Sequence, residues 1–189
     1  TDEPNEPMIV RGPIKHKVLA ELLGRVEWGE LDVLVLDLPP GTSDVPMSSM
    51  LIGGLSGMVI VTTPQTAASD VAVRAGMMAQ LTRQKVAGVV ENMSSVRCHT
   101  CGEPMDLFGA GGGALVAEQL SSALETDIPV LAQIPFDVKL REGGDRGEPI
   151  VVAAPDSDAA NAIHALATQL ATRPRGLAGV SLGLTPTNG

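Results

Sequence analysis

The sequence predicts an α/β fold, a mostly parallel sheet flanked by helices on both faces. Short and nearly unbroken apolar runs, typical of strands that are covered on both faces, occur four times. Segments with helical spacing of apolar residues lie between these runs, and alternating strands and helices form parallel sheets with right-handed crossovers. The predicted strands are residues 32–38, 57–62, 86–92 and 129–134.

The predicted helices are placed by the same spacing. An apolar stripe from Ile14 to Val26 predicts a helix of about three turns. Three further helices are predicted over residues 46–55, 66–81 and 114–124. The last predicted helix runs from Asp156, a residue type that often caps helix N-termini, to about Thr172. Residues 173–189 are rich in glycine and proline and have no periodicity, so we expect a disordered tail.

Composition narrows the class of protein. The 189 residues include 44% hydrophobic residues, enough for one soluble globular domain with its own core. The formal net charge of −9 argues against a surface that binds nucleic acid or anionic lipid, because such surfaces need Lys and Arg. Two cysteines cannot form a secreted-type disulfide framework. The opening residues are polar rather than an apolar leader, so the sequence predicts a cytoplasmic protein.

Polar residues at strand ends are the first candidates for a site, because ligands of open parallel sheets bind beyond the carboxyl ends of the strands. Asp37 ends the first predicted strand and precedes a glycine loop, as the Mg²⁺-binding acid of P-loop proteins does. An aspartate that accepts N–H bonds from its own loop explains the pattern equally well. Asn92 ends the third strand, and its amide matches the edge of a purine base. In isolation, an asparagine that caps a turn is the better explanation.

The segment Cys98-His99-Thr100-Cys101 has the most distinctive chemistry. Two thiols at this spacing can bind a metal or cluster, act as a redox pair, or simply be two small residues. Gly102 and Pro104 argue against the helix that a redox pair needs. A metal or cluster takes four ligands and the chain has two cysteines, which suggests two from each subunit of a twofold homodimer. His99 could be a third ligand, although a side chain between two such thiols usually points away.

Two other functions remain open from the residues alone. The cysteines could hold a structural zinc ion across a dimer that acts as a scaffold or regulatory module. Residues 109–114 fit a dinucleotide-binding glycine pattern, which would suit an NAD(P)-linked enzyme. However, the preceding residues 102–108 do not read as a strand, and the nearest later acid, Asp127, precedes a strand instead of ending one. A loop or helix start is therefore the better explanation of these glycines.

Six segments, taken in order, resemble the Mrp/ApbC family of iron-sulfur cluster carrier ATPases, a deviant-Walker P-loop class that includes MinD-like proteins. The segments are LDLPPGTSD, VIVTTPQ, GVVENMS, the CxxC, FGAGGG and IPFDVKLREGGDRGEPIV. The likeness extends from Met8 to Leu170. It implies a homodimer that binds ATP, bridges an iron-sulfur cluster through Cys98 and Cys101 of each protomer, and passes the cluster to apoproteins. The expected cluster type is 4Fe-4S.

The resemblance also assigns nucleotide-binding roles. Asp37 would be the Walker B acid near Mg²⁺, and Gly41 would lie in the loop that senses the γ-phosphate. Asn92 would contact adenine. Pro135 and Asp137, which follow the last strand, would form the other wall of the base pocket.

One family motif is missing from this sequence. Family members carry a GKGGVGKS-type loop upstream of the aspartate strand, and no Gly-Lys pair occurs in this chain. That loop positions the phosphates, which supply most of the binding and the transition-state stabilisation. We therefore expect residues 1–172 to be the C-terminal part of a P-loop NTPase-like domain that hydrolyses ATP poorly by itself. Such a truncated sheet should expose an apolar sheet edge unless a partner covers it.

Overall fold

Three parallel strands form the main sheet of the protein, which a computed structural model describes over residues 12–38 and 55–173. In chain order the elements are α1 (Gly12–Arg25), β1 (Met58–Thr62), α2 (Thr66–Leu81), β2 (Val86–Asn92), β3 (Val96–Arg97), β4 (Pro104–Met105), α3 (Gly112–Leu124), β5 (Val130–Ile134), α4 (Val138–Arg146), α5 (Ile150–Ala153) and α6 (Asp158–Ala171). The sheet order is β1-β2-β5, and both pairs are parallel. The predicted parallel α/β fold is confirmed.

Helices α2 and α3 cover one face of this sheet and pack against each other. Val89 of β2 and Leu120 of α3 are completely buried between them. Gly76 allows the close approach, because a Cβ at this position would lie 2.6 Å from the Leu120 side chain. Each fully buried side chain of this size contributes about 1.5–3 kcal/mol to folding. The whole cluster comprises Ile60, Ala72, Val89, Val116, Ala117, Leu120 and Ile128.

A second apolar cluster lies on the opposite face, at the end of β5. Successive strand residues point to opposite faces of a sheet. Gln133 reaches Glu91 beneath α3, whereas the next residue, Ile134, packs with the buried Ala159 and Ala160 of α6. Helices therefore flank both faces, as the sequence predicts.

The predicted strand over residues 32–38 is wrong. Residues 26–38 contain neither a helix nor a strand, and Val33, Leu34 and Val35 are 51%, 43% and 79% exposed. The apolar run suits a strand, but a strand exists only through main-chain pairing. Within the described residues, β2 is already flanked on both sides and no strand pairs with the outer side of β1. This exposed apolar run lies outside the sheet, so it is not the apolar sheet edge expected from the sequence.

The helices mostly match their predictions. Helices α1, α2 and α3 lie where the apolar spacing places them. The last helix is capped one residue later than expected, because the hydroxyl of Ser157, and not the Asp156 carboxylate, accepts the N–H of Ala160 at 3.2 Å. The predicted helix over residues 46–55 lies almost entirely outside the described residues, and so does the tail from residue 174. None of the described helices combines the length and apolar composition needed to cross a membrane.

Candidate cluster-binding and nucleotide-binding site

The two cysteines lie in the turn of a short antiparallel hairpin formed by β3 and β4. The N–H of Cys98 donates to the carbonyl of Glu103, and the N–H of Gly102 donates back to the carbonyl of Cys98, both at 2.9 Å. Gly102 has a φ of +76°, a conformation that glycine adopts without strain. The expectation that residues 102–108 contain no strand is wrong for β4. This strand forms because it pairs with β3 across the cysteine turn, and its sequence has no apolar pattern that would predict it.

The main chain of the turn changes the acidity of the Cys98 thiol. Cys98 is partly buried, Cys101 is exposed, and both are free thiols. Hydrogen bonds from the main chain of Cys101 and then of Thr100 lower the pKa of Cys98 to about 7. Because the thiolate is the form that binds metals and attacks electrophiles, Cys98 is substantially in its reactive form near neutral pH.

His99 does not complete a metal site with the two cysteines. Its side chain is exposed at the tip of the turn. Throughout residues 12–38 and 55–173, no group of three or more His, Cys, Asp or Glu side chains could hold a metal ion. Among the described residues, the turn therefore brings together two thiols and no third candidate metal ligand.

The end of β5 anchors both ends of the cysteine hairpin. The N–H of Phe136 donates to the carbonyl of Ser95, just before β3, at 2.7 Å. The ring of the same residue contacts the ring of Phe108, just after β4, with a centroid distance of 6.1 Å. The hairpin is thus attached to the carboxyl edge of the parallel sheet.

Two of the predicted nucleotide-binding residues meet at this edge. Asn92 at the end of β2 pairs in register with Ile134, the residue before Pro135. The side-chain oxygen of Asn92 accepts the N–H of Met93 at 2.9 Å, and Met93 has a positive φ of +57°. Asn92 therefore caps a turn, the simpler of the two explanations considered from sequence. Its amide nitrogen has no protein acceptor among the hydrogen bonds of the described residues.

The remaining predicted nucleotide-binding residues are Asp137, Asp37 and Gly41. Asp137 lies at the same edge, where its carboxylate caps α4 by accepting the N–H of Lys139 at 2.7 Å. Asp37 is exposed on the extended segment before residue 39 and ends no strand of the sheet. Gly41 lies outside the described residues. The structure thus brings Asn92, Pro135 and Asp137 to one edge and does not join Asp37 to them through the sheet.

Glu91 is a buried carboxylate that sequence reasoning did not single out. It is 1% exposed, and its two oxygens accept the N–H of Gly113 at 2.5 Å and the amide of Gln133 at 2.8 Å. A side chain at Gly113 would collide with Glu91, and one at Gly112 would lie 2.6 Å from the carbonyl of Thr63. These glycines therefore allow the start of α3 to pack on the strand ends. The sequence signal that could have revealed Glu91 is an acidic residue within an otherwise apolar strand.

Comparison with known families gives a match over residues 1–171 to the ParA family model described as NUBPL iron-transfer P-loop NTPase. The chain belongs to this family of iron-transfer P-loop NTPases. The resemblance inferred from the six sequence segments is thereby confirmed. An iron-sulfur cluster carrier protein of Mycobacterium tuberculosis is 51% identical over 183 residues, covering 97% of this chain and 48% of the relative. One from Synechocystis is 41% identical over 170 residues, covering 89% and 46%. The chain spans about half the length of these relatives.

Solved structures agree with membership of this P-loop NTPase family. A nucleotide-binding protein from Archaeoglobus fulgidus, in complex with ADP, superposes with a TM-score of 0.58 and 36% identity over 77% of this chain and 56% of its own. The septum site-determining protein MinD of Pyrococcus horikoshii, complexed with Mg-ADP, gives a TM-score of 0.56 and 25% identity over 85% and 56%. The P-loop NTPase relationship thus extends to MinD-like proteins.

Proposed function

We propose that this iron-transfer NTPase family member carries an iron-sulfur cluster on the Cys98–Cys101 turn and passes it to apoproteins. The observation that carries the proposal is the turn itself, which presents two thiols at the protein surface and lowers the pKa of Cys98 to about 7. The naming of the curated relatives as iron-sulfur cluster carrier proteins supports it.

The number of thiols indicates how the cluster is held. Clusters of this kind are ligated by four cysteines, and each chain has two. A second copy related by a twofold axis supplies the other two, giving one shared cluster, of the 4Fe-4S type, per homodimer. Transfer then requires ligand exchange alone: thiolates of the acceptor protein replace, one after another, the Cys101 and Cys98 thiolates of both protomers on iron. Each displaced thiolate takes up the proton that the incoming thiol gives up, and no electron is gained or lost.

The nucleotide part of the proposal concerns the neighbouring sheet edge. Asn92 would contact adenine, and Pro135 and Asp137 would form the other wall of the base pocket. Asp37, whose carboxylate is exposed and is a ligand type that Mg²⁺ accepts, would lie near the metal, with Gly41 at the γ-phosphate. The similar solved structures that contain ADP support nucleotide binding in this proposal. ATP hydrolysis belongs to the intact family protein in this proposal.

Anaerobic reconstitution with iron and sulfide tests the cluster site. We expect a brown dimer with about four iron and four sulfide ions per two chains. Cys98→Ser should lose the colour and the dimer, because one ligand in each half is removed. His99→Ala is the matched control in the same turn and should keep both, because the histidine is not a ligand.

Two other outcomes would contradict the proposal. A colourless dimer that contains zinc and dissociates with chelator would identify the zinc-bridged scaffold instead. A chain that stays colourless and binds no metal would show that the cysteines have another role.

A further inference from the structure

Arg97 contacts both the cysteine turn and a helix outside the hairpin. It directly precedes Cys98, and one terminal nitrogen of its guanidinium donates to the carbonyl of Gly102 at 3.3 Å. The Nε of the same group donates to the carboxylate of Asp158, which lies in the first turn of α6. One planar group therefore connects the residue after Cys101 to a separate element of the fold.

The bond to Gly102 acts where the turn is most free to change shape. Gly102 follows Cys101, and glycine has the widest choice of main-chain conformations of any residue. Its N–H is held by the carbonyl of Cys98 at 2.9 Å, and its own carbonyl is held by Arg97. With both groups engaged, rotation about the main chain next to Cys101 is restricted.

Asp158, at the other end of the contact, lies on a helix that is anchored in the fold. Helix α6 is capped by Ser157, and its residues Ala159 and Ala160 are completely buried in the second apolar cluster. Strands β3 and β4 have only two residues each, and an isolated two-stranded hairpin is marginally stable. The hairpin needs contacts outside itself to hold one orientation, and Asp158 supplies one.

We propose that Arg97 is a positioning residue, which holds the Cys98–Cys101 turn in one orientation relative to α6 and so slows the release of a bound cluster. The retention of a cluster rests on the function proposed above; the ordering of the turn does not. The arrangement needs the guanidinium fork, since a lysine ammonium can serve Asp158 or Gly102 but has no second planar edge for the other.

Hydrogen exchange on the cluster-free chain tests the ordering of the turn. We expect the amides of Cys98 and Gly102 to exchange about three- to tenfold faster in Arg97→Ala than in the unmodified chain. This increase corresponds to the loss of a single exposed hydrogen bond. Arg146→Ala is the matched control, because Arg146 forms a comparably exposed pair with Glu148 at 3.0 Å. Equal exchange of the two amides in both variants would overturn the inference, whether or not the chain carries a cluster.

Cluster release tests the consequence. Arg97→Ala should lose iron to a chelator about three- to tenfold faster than Arg146→Ala, and the visible circular dichroism of its cluster should change. Arg97→Lys should restore only part of the slow release. A release rate and spectrum identical to those of Arg146→Ala would refute the role in retention. If the unmodified chain takes up no cluster, the proposed function fails, and the exchange measurement still decides the role of Arg97 in the turn.

Discussion

At the scale of single residues, Cys98 shows how the main chain sets the chemistry of a side chain. The N–H groups of Cys101 and Thr100 stabilise its thiolate and lower its pKa to about 7. Metal binding competes with protonation of the sulfur. Cluster uptake should therefore be supported above about pH 7 and weaken as the pH falls below the pKa of Cys98.

The first prediction concerns this titration. In Cys101→Ser, which leaves Cys98 as the single thiol and keeps the main-chain donors, alkylation by iodoacetamide should rise with pH to a midpoint below the ordinary thiol pKa and then level off. The reason is that only the thiolate reacts. Mass spectrometry of the modified chain measures the rate. A midpoint at the ordinary thiol pKa, about 8.5, would contradict the prediction.

The sequence located these residues better than their interactions. The CxxC spacing identified both thiols, the strand-end rule pointed to Asn92, and the family resemblance added Asp137, which lies at the same edge. The strand-end rule also pointed to Asp37, which ends no strand. Their hydrogen bonds depend on turn geometry, which residue types alone do not specify. Glu91 was missed because a buried carboxylate is recognised only through its partners, and Gly113 and Gln133 are distant in sequence.

At the scale of elements, the start of α3 depends on the absence of side chains. A Cβ at Gly112 would lie 2.6 Å from the carbonyl of Thr63 and 2.7 Å from the Cα of Pro64. Both are main-chain atoms, which cannot rotate away as a side chain can. The glycine pattern that resembles a dinucleotide fingerprint therefore has a packing role here.

The second prediction compares two glycine substitutions within helices. Gly112→Ala should destabilise the fold by about 1–3 kcal/mol, because the new methyl group forces main-chain shifts. Gly144→Ala in α4 should stabilise it by about 0.4–1 kcal/mol, since no atom lies within 4 Å of the new Cβ and the unfolded chain loses freedom. Urea unfolding measures both. Equal effects of the two substitutions would show that α3 can move away from the loop after β1.

Elements were predictable where local pattern and tertiary pairing agree. Strands β1, β2 and β5 lie within one residue of their predicted limits. Residues 32–38 carry the same apolar signal, but no described strand pairs with them, so pattern alone failed. Helix α4 was missed because its sequence VKLREGGDR is mostly charged, and its cap at Asp137 and contacts with the second cluster stabilise it instead.

At the scale of the whole molecule, the proposed nucleotide site has candidate groups for the base and for Mg²⁺ but none for the phosphates. Asn92, Pro135 and Asp137 could hold a base, and Asp37 a metal ion. The sequence contains no Gly-Lys pair to position the phosphates. Phosphate contacts supply most of the affinity for a nucleoside triphosphate in P-loop proteins.

The third prediction follows for ATP. Calorimetric titration of the 189-residue chain with Mg-ATP should show weak or no binding, because base contacts alone leave the triphosphate in water. The same chain joined to an upstream segment with a P-loop should bind clearly and serves as the positive control. Tight binding by the 189-residue chain alone would mean that another group holds the phosphates.

Phe136 connects the proposed base pocket to the cysteine hairpin. It stands between Pro135 and Asp137, and it touches the protein on either side of the cysteine hairpin, at Ser95 through its main chain and at Phe108 through its ring. A ligand that displaced residues 135–137 would also shift Ser95 and Phe108, and with them both ends of the cysteine hairpin. The affinity of the two cysteines for a bound cluster would then depend on ligand binding at the sheet edge, without any direct contact between the two ligands.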